Sequence, residues 1–236
     1  MHILHKRKPQ GEAFEMFGIK FDTKLRMEQQ IQTLVNRCRW KLKTLLRARR
    51  YFTEEQLVQQ YKSHILPYLE FATPAVYHAT ATALEPLDKL QTTFLKELGL
   101  TPLDALKKYN LAPLETRRDV ALLGVIHRTV LREGPPQFQQ WFRPAAPATH
   151  SYSTRGQTAK EKHGRQLHDY LGAAQTPLLR RSPLALTRVY NALDAEVVAC
   201  TTVKSFQAAL QKLVLKQAEA QTANWEKLLK VRPVLR

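Results

Sequence analysis

A chain of 236 residues is long enough for one substantial core, or a core with a smaller helical appendage, and 44% hydrophobic content excludes a disordered tail. With 37 Lys and Arg against 20 Asp and Glu, the formal charge is +17, which points to a polyanionic partner. No apolar run approaches the ~20 residues that span a bilayer, and no apolar stretch follows Lys6-Arg7-Lys8, so nucleic acid is expected over lipid.

The expected setting is intracellular, cytoplasmic or nuclear, with no membrane partner. Cys38 and Cys200 are too few for a disulfide framework or a structural zinc, which fits a reduced compartment. Only 8 Gly stand against many Leu, Ala, Gln, Lys and Arg, a bias toward helices. Charge is concentrated: residues 1–50 carry 13 basic and 4 acidic side chains, a local balance of +9. Charge added for solubility alone would be spread more evenly, so this end is expected to hold a binding surface.

Residues 1–22 are expected to form a β-hairpin, with Ile3-Leu4-His5 as one strand, a basic turn from Lys6 to Gly11, and a second strand from Phe14 to Phe21. Along the second strand the alternation of Phe14 and Met16 shifts by one place to Phe17, Ile19 and Phe21, as at a bulge beside Gly18. Two strands make a marginal sheet, so the hairpin wants a partner sheet and leaves Phe14, Phe17 and Phe21 exposed.

A helix over 24–48 follows, capped by Asp22 or Thr23, with Met27, Ile31, Leu34, Val35, Cys38, Leu42 and Leu45 as its apolar stripe. Arg39, Lys43, Arg47 and Arg50 fall on a different sector, flanked by Arg37 and Lys41, and Trp40 projects among them. Arg49 returns to the apolar side, where the helix is expected to end. A second helix opens at Thr53 with Gln56 in capping-box spacing, runs through Leu57, Tyr61 and Ile65, and meets Pro67. Pro74 divides the next stretch. Thr82 with Glu85 is read as another start, ending at Gly99. Thr101-Pro102 opens a short helix, and a longer one covers 113–132 before Gly134-Pro135-Pro136. Periodicity is lost over 143–183, read as a loop or linker. It returns at 184–193, again from Thr202 with Phe206, Leu210, Leu213 and Val214 on one face, and briefly around Trp225–Leu229. The fold class is mainly α: a hairpin at 1–22, a helical domain at 23–142, a linker at 143–183 and a C-terminal helical segment at 184–236.

The basic sector carries the chemistry. Lys and Arg on one helix face contact phosphates without reading sequence. A lone Trp in such a place packs against a neighbouring helix or, alternatively, stacks on a base. His163 and His168 are five apart, off the spacing that puts two ligands on one helix face, and His64, His78 and His127 read as satisfied or exposed residues of packed helices. Tyr61 and Tyr190 read as core aromatics. No serine-nucleophile motif or phosphate-cradling glycine loop occurs.

The order of segments resembles the region after the active-site strands in reverse transcriptases of non-LTR (LINE-type) retrotransposons. Phe17-Gly18-Ile19-Lys20-Phe21-Asp22 looks like that family's primer-grip strand, with Phe17 where Leu is usual. The basic helix, then Tyr61-Lys62-Ser63-His64-Ile65-Leu66-Pro67 and Leu69-Glu70-Phe71, is similar to its thumb. Leu87-Asp88-Lys89-Leu90-Gln91 and Leu114-Glu115-Thr116-Arg117-Arg118 resemble later helices, and Arg181-Ser182, Tyr190-Asn191-Ala192-Leu193 and Ser205-Phe206 the tail. Each string is short and made of common residues; the weight lies in their shared order over 14–215.

The resemblance implies a hairpin left over from a palm, a thumb-like bundle, and an RNA–DNA or RNA/DNA duplex as partner. Arg37, Arg39, Trp40, Lys41, Lys43, Arg47 and Arg50 would meet the nucleic acid, and Phe17 and Gly18 would lie primer-grip-like near its end. The family's paired metal-binding carboxylates are missing: the six Asp (22, 88, 104, 119, 169, 194) include no adjacent pair. The palm and its Mg2+ would precede Met1 or come from a separate polypeptide. No polymerase activity is therefore expected of this chain alone, and it needs no cofactor of its own. Alternatives are a helical scaffold for an acidic protein, or a retroelement remnant without function.

Overall fold

A computed structural model describes residues 13–145, 163–171, 176–222 and 224–230. It is mainly α-helical behind an N-terminal hairpin. Strands β1 (Ala13–Met16) and β2 (Ile19–Asp22) pair antiparallel, Phe14 opposite Phe21 and Met16 opposite Ile19. Phe17 (φ 52°) and Gly18 (φ 74°) both lie in the left-handed region, as a tight two-residue type I′ turn requires. Gly18 thus reverses the chain and makes no bulge. Across a two-residue turn, 14, 16, 19 and 21 share one face, so a reversal shifts the alternation by one place just as a bulge would. The expected strand at Ile3-Leu4-His5 lies outside the described residues.

Lys20 N–H donates to the Gln30 side-chain oxygen (3.0 Å) and ties the hairpin to helix α1 (Glu28–Arg47). This helix begins later than the sequence suggests. The Asp22 carboxylate accepts from the N–H groups of Lys24 (3.0 Å), Arg26 (3.0 Å) and Met27 (2.6 Å), and Leu25 and Met27 take positive φ. Asp22 therefore organises a tight loop and does not cap the helix. Burial raises its pKa, but the three backbone donors outweigh burial and hold it below the ordinary value.

Helix α2 (Glu54–His64) starts on the expected capping box: Thr53 accepts from Gln56 N–H while the Gln56 side chain accepts from Thr53 N–H. Pro67 ends it and opens α3 (Leu66–Phe71), and Pro74 sits in the first turn of α4 (Thr73–Val76). Helix α5 (Ala81–Glu97) is capped by Thr80, whose hydroxyl accepts from Ala83 N–H; the Thr82–Glu85 pair has the right spacing two residues too late. It closes at Gly99 (φ 69°), with Leu100 N–H reaching back to the Leu95 carbonyl. Next come α6 (Pro102–Tyr109), α7 (Leu114–Val130), α8 (Pro136–Gln139), α9 (Pro177–Arg181), α10 (Leu186–Ala192), α11 (Ala195–Val198) and α12 (Val203–Glu219). A 3-10 turn at Trp225–Lys227 follows.

Two cores result. The first is built on α1 against α5, with α2 and α3 beside them, and holds the Tyr61–Phe94 stack (4.3 Å between ring centres). The second joins α7 to α12 and α10. The Gln207 side chain of α12 lies over Gly124 of α7, where a Cβ would displace its amide. Of the segment 143–183, residues 163–171 lie against the second core: Leu167 and Leu171 are buried, and the Asn191 amide bonds both N–H and C=O of Leu167. Leu229 is buried too, so the last turn docks.

Candidate nucleic-acid interface

Ile31, Leu34, Val35, Cys38 and Leu42 are buried, which turns the opposite side of α1 to solvent. On that side Arg39, Lys43 and Arg47 are exposed. Among the described residues no carboxylate lies within ion-pair distance of them. Acids on the helices packed against α1 pair with other residues: Glu97 with Arg49 (2.5 Å), Glu70 with Arg117 (2.5 Å) and Asp88 with Arg118 (2.8 Å). Burial pushes the Cys38 thiol on the inner side up to about 11, so it stays protonated and inert.

The other expected site residues divide. Arg37 and Lys41 sit over the Tyr68 ring, 4.3 Å and 4.6 Å from its centre, and so lean toward α3 at the edge of the basic face. Arg50 is off the helix. The chain tightens into a 3-10 turn at Arg49–Tyr51, where the Arg50 guanidinium bonds the Tyr51 hydroxyl (2.7 Å) and lies over its ring. Arg50 therefore does not continue the row of Arg39, Lys43 and Arg47. Trp40 is not packed into the fold of the described residues: it is 70% exposed. Phe17, at the hairpin tip, is 86% exposed, and Phe14 and Met16 beside it are exposed as well, whereas Phe21 is half-buried on the first core.

Tyr51 and Tyr68 were not anticipated as part of this surface. Tyr51 directly follows two arginines, a pairing visible in the sequence, whereas the role of Tyr68 depends on how α3 lies against α1.

The residues that carried the family resemblance mostly hold elements together. Arg118 forks onto both Asp88 oxygens (2.8 and 2.9 Å), and Lys62 donates to the Tyr109 carbonyl. Tyr190 and His127 are fully buried and joined (2.9 Å), and His127 also meets the Cys200 carbonyl (3.0 Å). Among the described residues no group of three His, Cys, Asp or Glu is placed to hold a metal, and no helix is long and apolar enough to cross a membrane. A cleft of about 260 Å³ between the cores is rimmed by Glu70, Arg117, Asn110, Gln207 and Gln211, with the charged pair at its edge satisfied internally. Compared with known proteins, the chain matches no family model, no curated protein and no solved structure.

Proposed function

We propose that this chain binds template–primer nucleic acid, an RNA–DNA or RNA/DNA duplex, by its phosphate backbone, as a reverse-transcriptase-derived module without the catalytic palm. The observation that carries this reading is the outer face of α1, where Arg39, Lys43 and Arg47 stay exposed and have no ion-pair partner among the described residues. An evenly solvated helix would intersperse acids on that face; its only acid is Glu28, in the first turn, where it suits the helix dipole. The segment order shared with non-LTR reverse transcriptases supports the same reading. Phosphoryl transfer is not assigned to this chain. Asp22, Asp88, Asp104, Asp119 and Asp169 are each bonded within the fold and lie on separate elements.

The combined Arg39→Glu, Lys43→Glu and Arg47→Glu variant is expected to lose hybrid binding with helicity and melting temperature unchanged. In the native protein, log affinity for duplex DNA falls with log salt by about 0.9 per phosphate neutralised. Undiminished binding by the charge-reversed variant removes the proposal.

A second reading, docking onto a separately supplied palm, draws on the hairpin. Its two strands have open edges among the described residues and expose Phe14, Met16 and Phe17. Competition of a captured protein against homopolymer RNA across a salt series separates the two.

A further inference from the structure

Trp40 is the feature of this surface that phosphate binding leaves unused. At about 100° per residue it lies opposite the middle of the buried stripe. Asn36 lies about one turn before it, and Lys43 and Arg47 about one and two turns after it, on the same side. It is 70% exposed, and among the described residues no ring or cation engages its indole. Two cations close to it in sequence, Arg37 and Lys41, are engaged by another ring: they sit over Tyr68. An indole with free faces thus stands at the solvent pole of a cationic helix.

Resting on the nucleic-acid reading above, we infer that this face takes an unpaired nucleotide. Trp40 is a stacking platform for one base of a single-stranded segment whose flanking phosphates are held by Lys43 and Arg47. The ligand class is a single strand, or a duplex with an overhang, in preference to a blunt duplex. Stacking on an aromatic face is indifferent to base identity, but it needs a base whose own faces are free, and inside a duplex they are not. Complementary charge selects a polyanion over an apolar protein surface, because the neighbours of Trp40 on this face (Asn36, Lys43, Thr44, Arg47) are all polar. A bilayer surface fits less well. Interfacial helices insert a whole apolar face, and that of α1 is already buried in the core.

The test compares the intact chain with its Trp40→Ala, Trp40→Phe and charge-reversed variants on oligothymidylate, a blunt DNA duplex, the same duplex with a single-stranded overhang, and anionic phosphatidylserine vesicles. Trp40→Ala should weaken binding to oligothymidylate and the overhang duplex by about 5-fold to about 150-fold. The blunt duplex should be unaffected, and so should the salt slope, because no phosphate contact is lost. Trp40→Phe should restore most of the affinity. With Trp141 and Trp225 replaced by Phe, oligothymidylate should quench the remaining indole. Equal losses on blunt and single-stranded probes, no loss at all, or vesicle binding that depends on Trp40 would each overturn the inference. If charge reversal abolishes binding while Trp40→Ala changes nothing, the phosphate reading stands and stacking falls; retained binding by the charge-reversed variant overturns both.

Discussion

The Asp119 carboxyl, buried in α7, accepts a hydrogen bond from the Tyr77 hydroxyl at 2.6 Å. Burial pushes its pKa up to about 7; the Tyr77 bond, Arg118 and Lys230 pull down, and Glu115 adds to the rise. A carboxyl whose folded pKa exceeds its unfolded value stabilises the fold most while protonated in both states. That contribution is lost as pH rises from the ordinary 3.8 toward about 7. His127 slopes the other way. Burial lowers its pKa, so its contribution is present above the ordinary 6.5 and is lost as pH falls through the folded value. Asp119→Asn keeps an acceptor for Tyr77 and leaves His127 alone. The wild type should therefore lose stability relative to this variant as pH climbs through that range, read from urea midpoints. Parallel curves for the two proteins would mean that Asp119 does not titrate there. Nothing in the sequence marks Asp119, because its environment is made by Tyr77, 42 positions away.

Capping is where local signals and structure agree, because a cap involves residues only three apart. Thr53 with Gln56 and Thr101 with Asp104 both form reciprocal boxes. Thr53→Ala should cost about 1 kcal/mol, seen as a lowered midpoint with an unchanged denaturant slope. The same locality misleads where the true cap lacks a reciprocal partner, as Thr80 does before Ala83 while Thr82 has Glu85, or where a capping residue serves a loop, as Asp22 does. The hairpin turn was half legible. Gly18 signalled a positive φ, but Phe17 before it hid the second one, because a bulky side chain is rare there. Since Phe17 is 86% exposed, Phe17→Asn removes strain and almost no packing. It should stabilise the chain by about 1 kcal/mol, measured by thermal melting. A destabilised variant would show that Phe17 packs on something in the folded chain.

The concentration of charge near the N-terminus, the dominance of helix and the basic sector of α1 could all be read from composition and periodicity, which sum over many residues. The division into two cores could not, because it follows from pairs distant in sequence. Asp88 on α5 meets Arg118 on α7, and Glu70 on α3 meets Arg117. The Gln91 amide on α5 donates to the Ala112 carbonyl (2.9 Å), while Asn191 fixes Leu167 from 24 positions away. The first three of these polar links join helices of the first core to α7 or to the segment just before it, and Arg118 is 7% exposed at its side chain against 36% for Asp88, so the pair is half-shielded from solvent. Replacing Arg118 strands Asp88 without its fork of donors, at a cost of roughly 2–3 kcal/mol for a half-shielded pair. The wild type should then unfold in one transition. In the Arg117→Met/Arg118→Met variant, amide protection should be lost in α10 and α12 under conditions where α1 and α5 keep theirs. Nucleic-acid affinity should hold until the first core melts, because the proposed binding face lies on α1. Hydrogen exchange that declines evenly in both cores would show that the apolar contacts, and not the two arginines, make the molecule cooperative.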